Sequence, residues 1–295
     1  MASRRSRALV IGADGVIGRA LAARLVASGW SVTGTSRRGG AALPLDLAAE
    51  NAAEAVLPDA DVAYFVAAIS RFADCDAAPD LARLVNVTAP IAIAGRLAAR
   101  GTRVILLSTS AVFDGLEPRV PADRSVSPAT VYGHLKAEAE AVFLAFGDGA
   151  AVLRLTKVLH PDMPLMRRWV ETLSAGGTVS AFSDMTLAPV TLGHAVDALV
   201  RVAGDASGGI YQASARSDIS YFDAVRHIAR RLGVGADRVV SARAADHGIP
   251  LAQRPPFSSL DTQRLDRLLC ATAPDPFEVI DEVFGLWAHA SLRRS

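Results

Sequence analysis

"RALVIGADGVIGRALAARLVASG", residues 7–29, runs from an apolar stretch of strand length straight into a segment of helical period. This pattern predicts a buried strand over 7–13 and a helix over 18–29. Gly29 closes that helix, because a glycine just past a helix end adopts the left-handed conformation readily. Gly12, Gly15 and Gly18 stand at the junction. Glycines at such a turn let the backbone approach a pyrophosphate at the helix N-terminus, where free N–H groups and the helix dipole favour an anion. The spacing is GxxGxxG rather than GxGxxG, so the strand–turn–helix context carries the dinucleotide-binding reading.

Beyond this unit the same alternation continues. Strand-length apolar runs at 30–36, 41–45, 61–68, 102–109 and 150–158 are separated by helical segments, notably around 79–100 and over 128–146, the latter with a proline at its start. Alternating strands and helices predict βαβ units and a parallel, doubly wound α/β sheet of the Rossmann type. After 158 the elements shorten. Residues 1–158 are therefore expected to form an NAD(P)-binding domain, with returning elements around 188–213. Residues 159–295 are expected to supply mostly a smaller C-terminal, substrate-binding lobe over the sheet's carboxyl edge.

The end of the second predicted strand bears on which dinucleotide binds. An NAD-preferring site places an acidic residue there, about 20 residues past the glycines, to hold the ribose hydroxyls. Here Ser36 takes that place and Arg37 and Arg38 follow. Loss of a negative charge and gain of two guanidinium groups suit the 2′-phosphate of NADP(H) over NAD(H); a solvated basic turn is the competing reading.

"VYGHLK", residues 131–136, sets Tyr132 four residues before Lys136, which puts both on one helix face. The chain has two lysines, Lys136 and Lys157, and meets the rest of its need for positive charge with arginine. A phenol with an ordinary pKa near 10 is a poor acid–base group at neutral pH unless a cation attends it. A compact ammonium can do this and also hydrogen-bond a ribose, which the larger planar guanidinium does differently. The strand before this helix ends in Ser108, Thr109 and Ser110, any of which offers a hydroxyl at the carboxyl edge. Hydroxyl, phenol and ammonium beside a nicotinamide suit hydride transfer to or from a carbonyl.

Composition excludes other classes. Net charge is +1, with 31 basic and 30 acidic residues, which gives no field for nucleic acid or an anionic membrane. The arginines and apolar run at the start superficially resemble a signal peptide, but Asp14 and the glycines interrupt the run early. No span of about 18 consecutive apolar residues follows. Two cysteines cannot build a disulfide framework. A cytoplasmic protein acting on a small molecule is expected, with a homodimer as its candidate assembly. The histidines and cysteines lack metal-ligand spacing, so no metal is expected.

At this point a family is recognisable. The chain resembles the extended short-chain dehydrogenase/reductases, and within them the dTDP-4-dehydrorhamnose reductase-like group. The likeness runs through Gly12–Gly15–Gly18, "LDL" at 45–47, "AA" at 67–68, "VNVTAP" at 85–90, "STSAVFDG" at 108–115, "YGHLK" at 132–136 and "RPPFSSLD" at 254–261. The resemblance implies a Thr109–Tyr132–Lys136 triad. It implies a cofactor site lined by Gly12, Val16, Ile17, Arg37, Asp46, Leu47 and Ala67, to which Gly15, Gly18, Ser36, Arg38 and Ala68 are added as neighbours. Asn86 is implied as a support near the active-site helix, and Pro189 and Arg254 as signatures of the substrate lobe.

Departures from the family pattern bear on the substrate. The family's usual "STDYVFDG" is here "STSAVFDG", so Ser110 and Ala111 replace an acid and an aromatic. On the sixth strand Lys157 replaces a usual aromatic. Ser110, Lys157 and Arg254 are the expected substrate contacts, and Lys157 would meet an anionic group or else reach into solvent. The leading expectation is an NADP-dependent oxidoreductase that reduces a keto group of a nucleotide-sugar-like or other polar substrate. A sugar-nucleotide epimerase that keeps its cofactor bound and a non-catalytic NADP-binding regulatory subunit are the alternatives. A 4,6-dehydratase lacks support, because the acidic pair expected after Thr109 is absent.

Overall fold

The computed structural model describes residues 5–40 and 42–292. Its centre is a seven-stranded, all-parallel sheet, and each central strand is buried on both faces, as parallel sheets flanked by helices must be. The first strand, β1 (Arg7–Ile11), lies between β2 (Ser31–Ser36) and β4 (Val62–Phe65). Outside β2 runs the short β3 (Leu43–Pro44). On the other side follow β5 (Arg103–Thr109), β6 (Ala150–Leu155) and, last, Gly209–Ala213. Strand order thus reverses direction at β1, and a crevice opens at the carboxyl ends there. Ala41, the first residue of the strand expected over 41–45, lies outside the described residues.

Alternate residues of each strand feed two cores. Val10, Tyr64, Ile105 and Leu153 face the helix α1 (Val16–Ala27) and the helix Leu192–Gly204. Leu9, Phe65, Leu106 and Val152 face the opposite layer, where Ile93, Leu97, Ala139 and Phe143 pack. Phe143 meets Phe65 edge-on with ring centroids 5.0 Å apart. Each such Val, Leu, Ile or Phe side chain, buried completely, contributes roughly 1.5–3 kcal/mol. The helix Pro79–Ala98 is apolar and long enough to cross a membrane by composition alone, yet its Ile93, Ala94 and Leu97 are sealed against this sheet.

A third core of Leu159, Met166, Val170, Leu173, Val225, Ile228 and Ile280 holds the later segments together. Small strand pairs surround it: Val239–Ala242 beside Val179–Phe182, and Ile219–Ser220 antiparallel to Thr186–Leu187. Gly209–Ala213, although late in the sequence, leaves these elements and joins β6 as the seventh strand.

Two expected elements differ in extent. The strand expected over 150–158 breaks after Leu155. Thr156 still reaches the Ala213 carbonyl through its N–H, but Val158–Leu159 pairs instead with Val190–Thr191. Lys157 therefore sits where the chain changes partners. The helix expected over 128–146 begins at Val131, because the Thr130 hydroxyl accepts the Gly133 N–H at 3.1 Å and caps it. Pro128 lies outside, against Gly133.

Candidate active site

The glycine turn follows β1 directly. Gly12 has φ +96°, and a Cβ there would lie 2.7 Å from Ala67 Cβ at the end of β4. A Cβ on Gly18 would sit 2.1 Å from the Gly12 carbonyl oxygen, so α1 can rest on the turn only because that side chain is missing. Gly15 donates its N–H to the Gly12 carbonyl and caps α1 in extended conformation, with no acidic side chain in the first helical turn. Val16 is partly exposed, and Ile17 lines the cleft beyond. This cradle, closed to any side chain and open at a helix N-terminus, fits a dinucleotide pyrophosphate.

Beside it, Ser36 is buried at the end of β2 and its Oγ accepts the Arg38 N–H at 3.0 Å. Arg37 and Arg38 are exposed, and Arg38 lies 3.5 Å from the Asp14 carboxylate. Asp46 is exposed and uses one oxygen to accept the Ala48 N–H. Leu47 points into the core, so only its backbone can face a ligand. Ala67 backs Gly12, and Ala68 lines the cleft.

That cleft, of about 460 Å³, runs from Ile17 and Ala68 past the end of β5 to the later segments. Ser108, Thr109, Ser110 and Tyr132 all line it. Thr109 Oγ1 accepts the Ala111 N–H at 3.1 Å, which fixes the hydroxyl and leaves its proton to donate. Ser108 Oγ is buried without a hydrogen-bond partner among the described residues. Burial raises the Tyr132 phenol pKa, with a smaller push from the Cys75 thiol, so the phenol stays protonated. One turn on, Lys136 is 3% exposed, and its ammonium has no hydrogen-bond or ion-pair partner among the described residues. Burial lowers its pKa to about 8, against the opposing pull of Glu140.

Several supports were not singled out from the sequence. A Cβ on Gly133 would lie 2.1 Å from the Ala111 carbonyl oxygen, so glycine between Tyr132 and His134 lets the helix seat on the Ser110–Val112 turn. Behind Lys136, Arg154 on β6 binds both Glu140 oxygens, the nearest at 2.7 Å, and also reaches Gln212 and the Ala122 carbonyl. Arg154 and Glu140 side chains are 2% and 3% exposed. A buried arginine on a strand four residues before a predicted strand end was the available signal. Asn86, unlike these, was expected from the sequence as a support; in a wide turn over Leu84–Thr88 within its helix it exchanges two hydrogen bonds with the Ile69 backbone and so holds the segment after Ala68.

Toward the later segments the cleft is lined by Lys157, Tyr221, Gln253, Phe257 and Ser258. Arg254 does not line it. Its guanidinium donates to the Ile249 carbonyl at 3.1 Å and lies 3.6 Å from Asp184, bracing the loop that carries Gln253. Pro189 stands between the buried Ala188 and Val190. Trp169, Phe182 and Tyr221 face an adjoining cavity of about 450 Å³ with Arg168 at its edge. His134 is exposed, while the His194 N–H is capped by Thr191 and burial lowers its imidazole pKa. Among the described residues no cluster of metal-ligating side chains occurs.

The family profile described as the RmlD substrate binding domain matches residues 6–283. The chain belongs to this family. It is 28% identical over 267 residues to a dTDP-4-dehydrorhamnose reductase of Mycolicibacterium smegmatis, covering 88% of this chain and 79% of that protein. A second relative is the methionine adenosyltransferase 2 subunit beta of Xenopus laevis, 34% identical over 183 residues, or 61% of this chain and 52% of that protein. Among solved structures, a dTDP-4-dehydrorhamnose reductase of Bacillus anthracis in complex with NADP superposes with a TM-score of 0.84 over 95% of this chain and 99% of that one, at 17% identity. The RmlD-type fold thus accounts for the parallel sheet, the glycine turn on β1 and the later segments gathered over the carboxyl edge.

Proposed function

We propose that the protein is an NADP-dependent reductase acting on a keto group of a nucleotide-linked sugar. The observation that carries this reading is a cleft-lining phenol, Tyr132, one helical turn ahead of a buried, unpartnered ammonium, Lys136, in a cleft that the Thr109 hydroxyl also lines. When bound, NADPH supplies the hydride. Gly12, Gly15 and the first turn of α1 hold its pyrophosphate, and exposed Arg37 and Arg38 meet the 2′-phosphate. Lys136 reaches the ribose hydroxyls and keeps positive potential near Tyr132. The substrate carbonyl oxygen accepts the Thr109 proton as a hydrogen bond, and as charge develops on it Tyr132 gives up its phenolic proton. The carbonyl, NADPH and one proton yield the alcohol and NADP⁺, and the Tyr132 phenolate regains its proton from solvent.

Burial keeps Tyr132 a phenol at neutral pH but makes it a weaker acid than free tyrosine, so the positive charges of Lys136 and the bound cofactor have to offset burial as the proton leaves. With its pKa at about 8, Lys136 is mostly ammonium at neutral pH. The adjoining cavity of Trp169, Phe182, Tyr221 and Arg168 offers ring faces and a cation suited to a nucleotide.

Purified protein with NADPH and a panel of nucleotide-linked keto sugars tests the reading. Substrate-dependent NADPH oxidation should occur and fall at least about 10²-fold in Tyr132→Phe. Binding of NADPH with no turnover on any member of the panel would instead support a regulatory subunit, the reading favoured by the likeness to the Xenopus laevis beta subunit. Sugar inversion without net NADPH consumption would mark an epimerase.

A further inference from the structure

We propose that the sugar unit reduced here carries a carboxylate, and that Lys157 is the residue that binds it. This rests on the reductase reading for the position of the sugar, and on the cleft itself for the ion pair. Among the described residues lining the cleft, Lys157 is the one cation and Asp114 the one carboxylate. One Asp114 oxygen already accepts the Leu116 N–H at 3.0 Å. The Lys157 backbone carbonyl accepts the Val190 N–H, while its ammonium has no hydrogen-bond or ion-pair partner among the described residues; the residue sits at the break between β6 and Val158–Leu159 and lines the same cleft as Ser108, Thr109 and Tyr132. Lys157 also borders a small apolar cavity lined by Leu159, Met163, Met166 and Trp169, and the residue is exposed, so its ammonium is free to meet an anion that enters the cleft.

Position 110, next to Thr109, is a serine, so Asp114 is the one anion of the lining that a bound carboxylate would meet. A single cation with Ser110, Gln253 and Ser258 as neutral hydrogen-bonding neighbours suits a monoanion; a phosphate dianion calls for more than one positive group. Burial lowers the Lys157 pKa, which a bound carboxylate would reverse. Lysine's compact ammonium, in a chain that elsewhere uses arginine, also matches a small anion within a confined cleft.

The test uses the chain's two lysines. Protein labelled with ¹³Cε-lysine gives two side-chain signals, and the one lost in Lys157→Met is assigned to Lys157. The NADP⁺-loaded protein is titrated with UDP-glucuronic acid and UDP-glucose, which differ only in carboxylate against hydroxymethyl, and with free D-glucuronate and D-glucose. UDP-glucuronic acid should move the Lys157 signal and bind at least about tenfold more tightly than UDP-glucose. That preference should vanish in Lys157→Met, through loss of UDP-glucuronic acid affinity. Equal affinities in the wild type, a preference that survives the substitution, or a Lys157 signal that no carboxylate moves would each overturn the proposal. If UDP-glucuronic acid binds no better than D-glucuronate, the sugar-nucleotide reading fails. A Lys157 signal moved by D-glucuronate and not by D-glucose would still uphold the ion pair.

Discussion

Replacing Lys136 by methionine should make the protein more stable and inactive. Lys136 is 3% exposed, and no described residue satisfies its ammonium. Burial lowers its pKa from 10.5 to about 8 in the folded chain. At about 1.4 kcal/mol per tenfold change in proton affinity, the difference is on the order of 3 kcal/mol charged against folding. The sign follows from proton uptake. Below pH 8 both states hold the proton and the full cost is present. Between pH 8 and 10.5 the folded state has released it while the unfolded chain has not, so wild-type stability rises. Denaturant melts without cofactor should therefore show Lys136→Met more stable by about 2–3 kcal/mol at pH 7, or some 4–12 °C in Tm, the gap closing toward pH 10. Methionine keeps most of the stem's packing volume, and Glu140 retains Arg154, so neither introduces an opposing loss. A variant no more stable than wild type at pH 7, or a gap that ignores pH, would refute the account of Lys136 as a cation held in place against the fold's preference.

Other consequences can be measured alongside. Lys136→Arg keeps the charge but not the ammonium's size or contacts, so turnover on an established substrate should fall on the order of 10²-fold, and near-normal turnover would reduce Lys136 to a helix charge. In fluorescence titrations, NADPH should bind at least about tenfold more tightly than NADH, a difference of about 1.4 kcal/mol; Arg37→Ala/Arg38→Ala should erase the gap by weakening NADPH alone. Glu140→Gln leaves the Arg154 guanidinium buried without its counter-ion and should cost about 3–5 kcal/mol in equilibrium unfolding, while Glu140→Leu/Arg154→Met should recover most of it. A loss below about 1 kcal/mol in the single variant would show that the pair is solvated in solution.

The active-site helix shows how far local reasoning carried. Tyr132 and Lys136 were legible as a pair because i and i+4 share a face in any helix, and the rarity of lysine set both lysines apart. The helix start was misplaced because proline was taken as its first residue, whereas Thr130 had the better geometry for accepting an N–H. Glu140 and Arg154 went unremarked for a different reason. They are fourteen residues apart in sequence, and nothing in either local pattern marks them as partners until β6 is laid against the helix.

What the sequence determined by itself was what repeats locally: the period-two and period-3.6 apolar patterns, the parallel α/β class they imply, and the glycine turn, whose conformation few other residues could adopt. Tertiary structure decided what depends on partners distant in the chain. Residues 209–213 become a seventh sheet strand because β6 offers a free edge and the helix Leu192–Gly204 delivers the chain to it. Arg254 turns to Asp184 rather than to the cleft, and Lys157 is exposed to the cleft because β6 hands the chain to Val190–Thr191 two residues later. Hydrogen-bond partners of this kind are chosen by which edges and charges the folded core brings together, and no window of neighbouring residues contains that information.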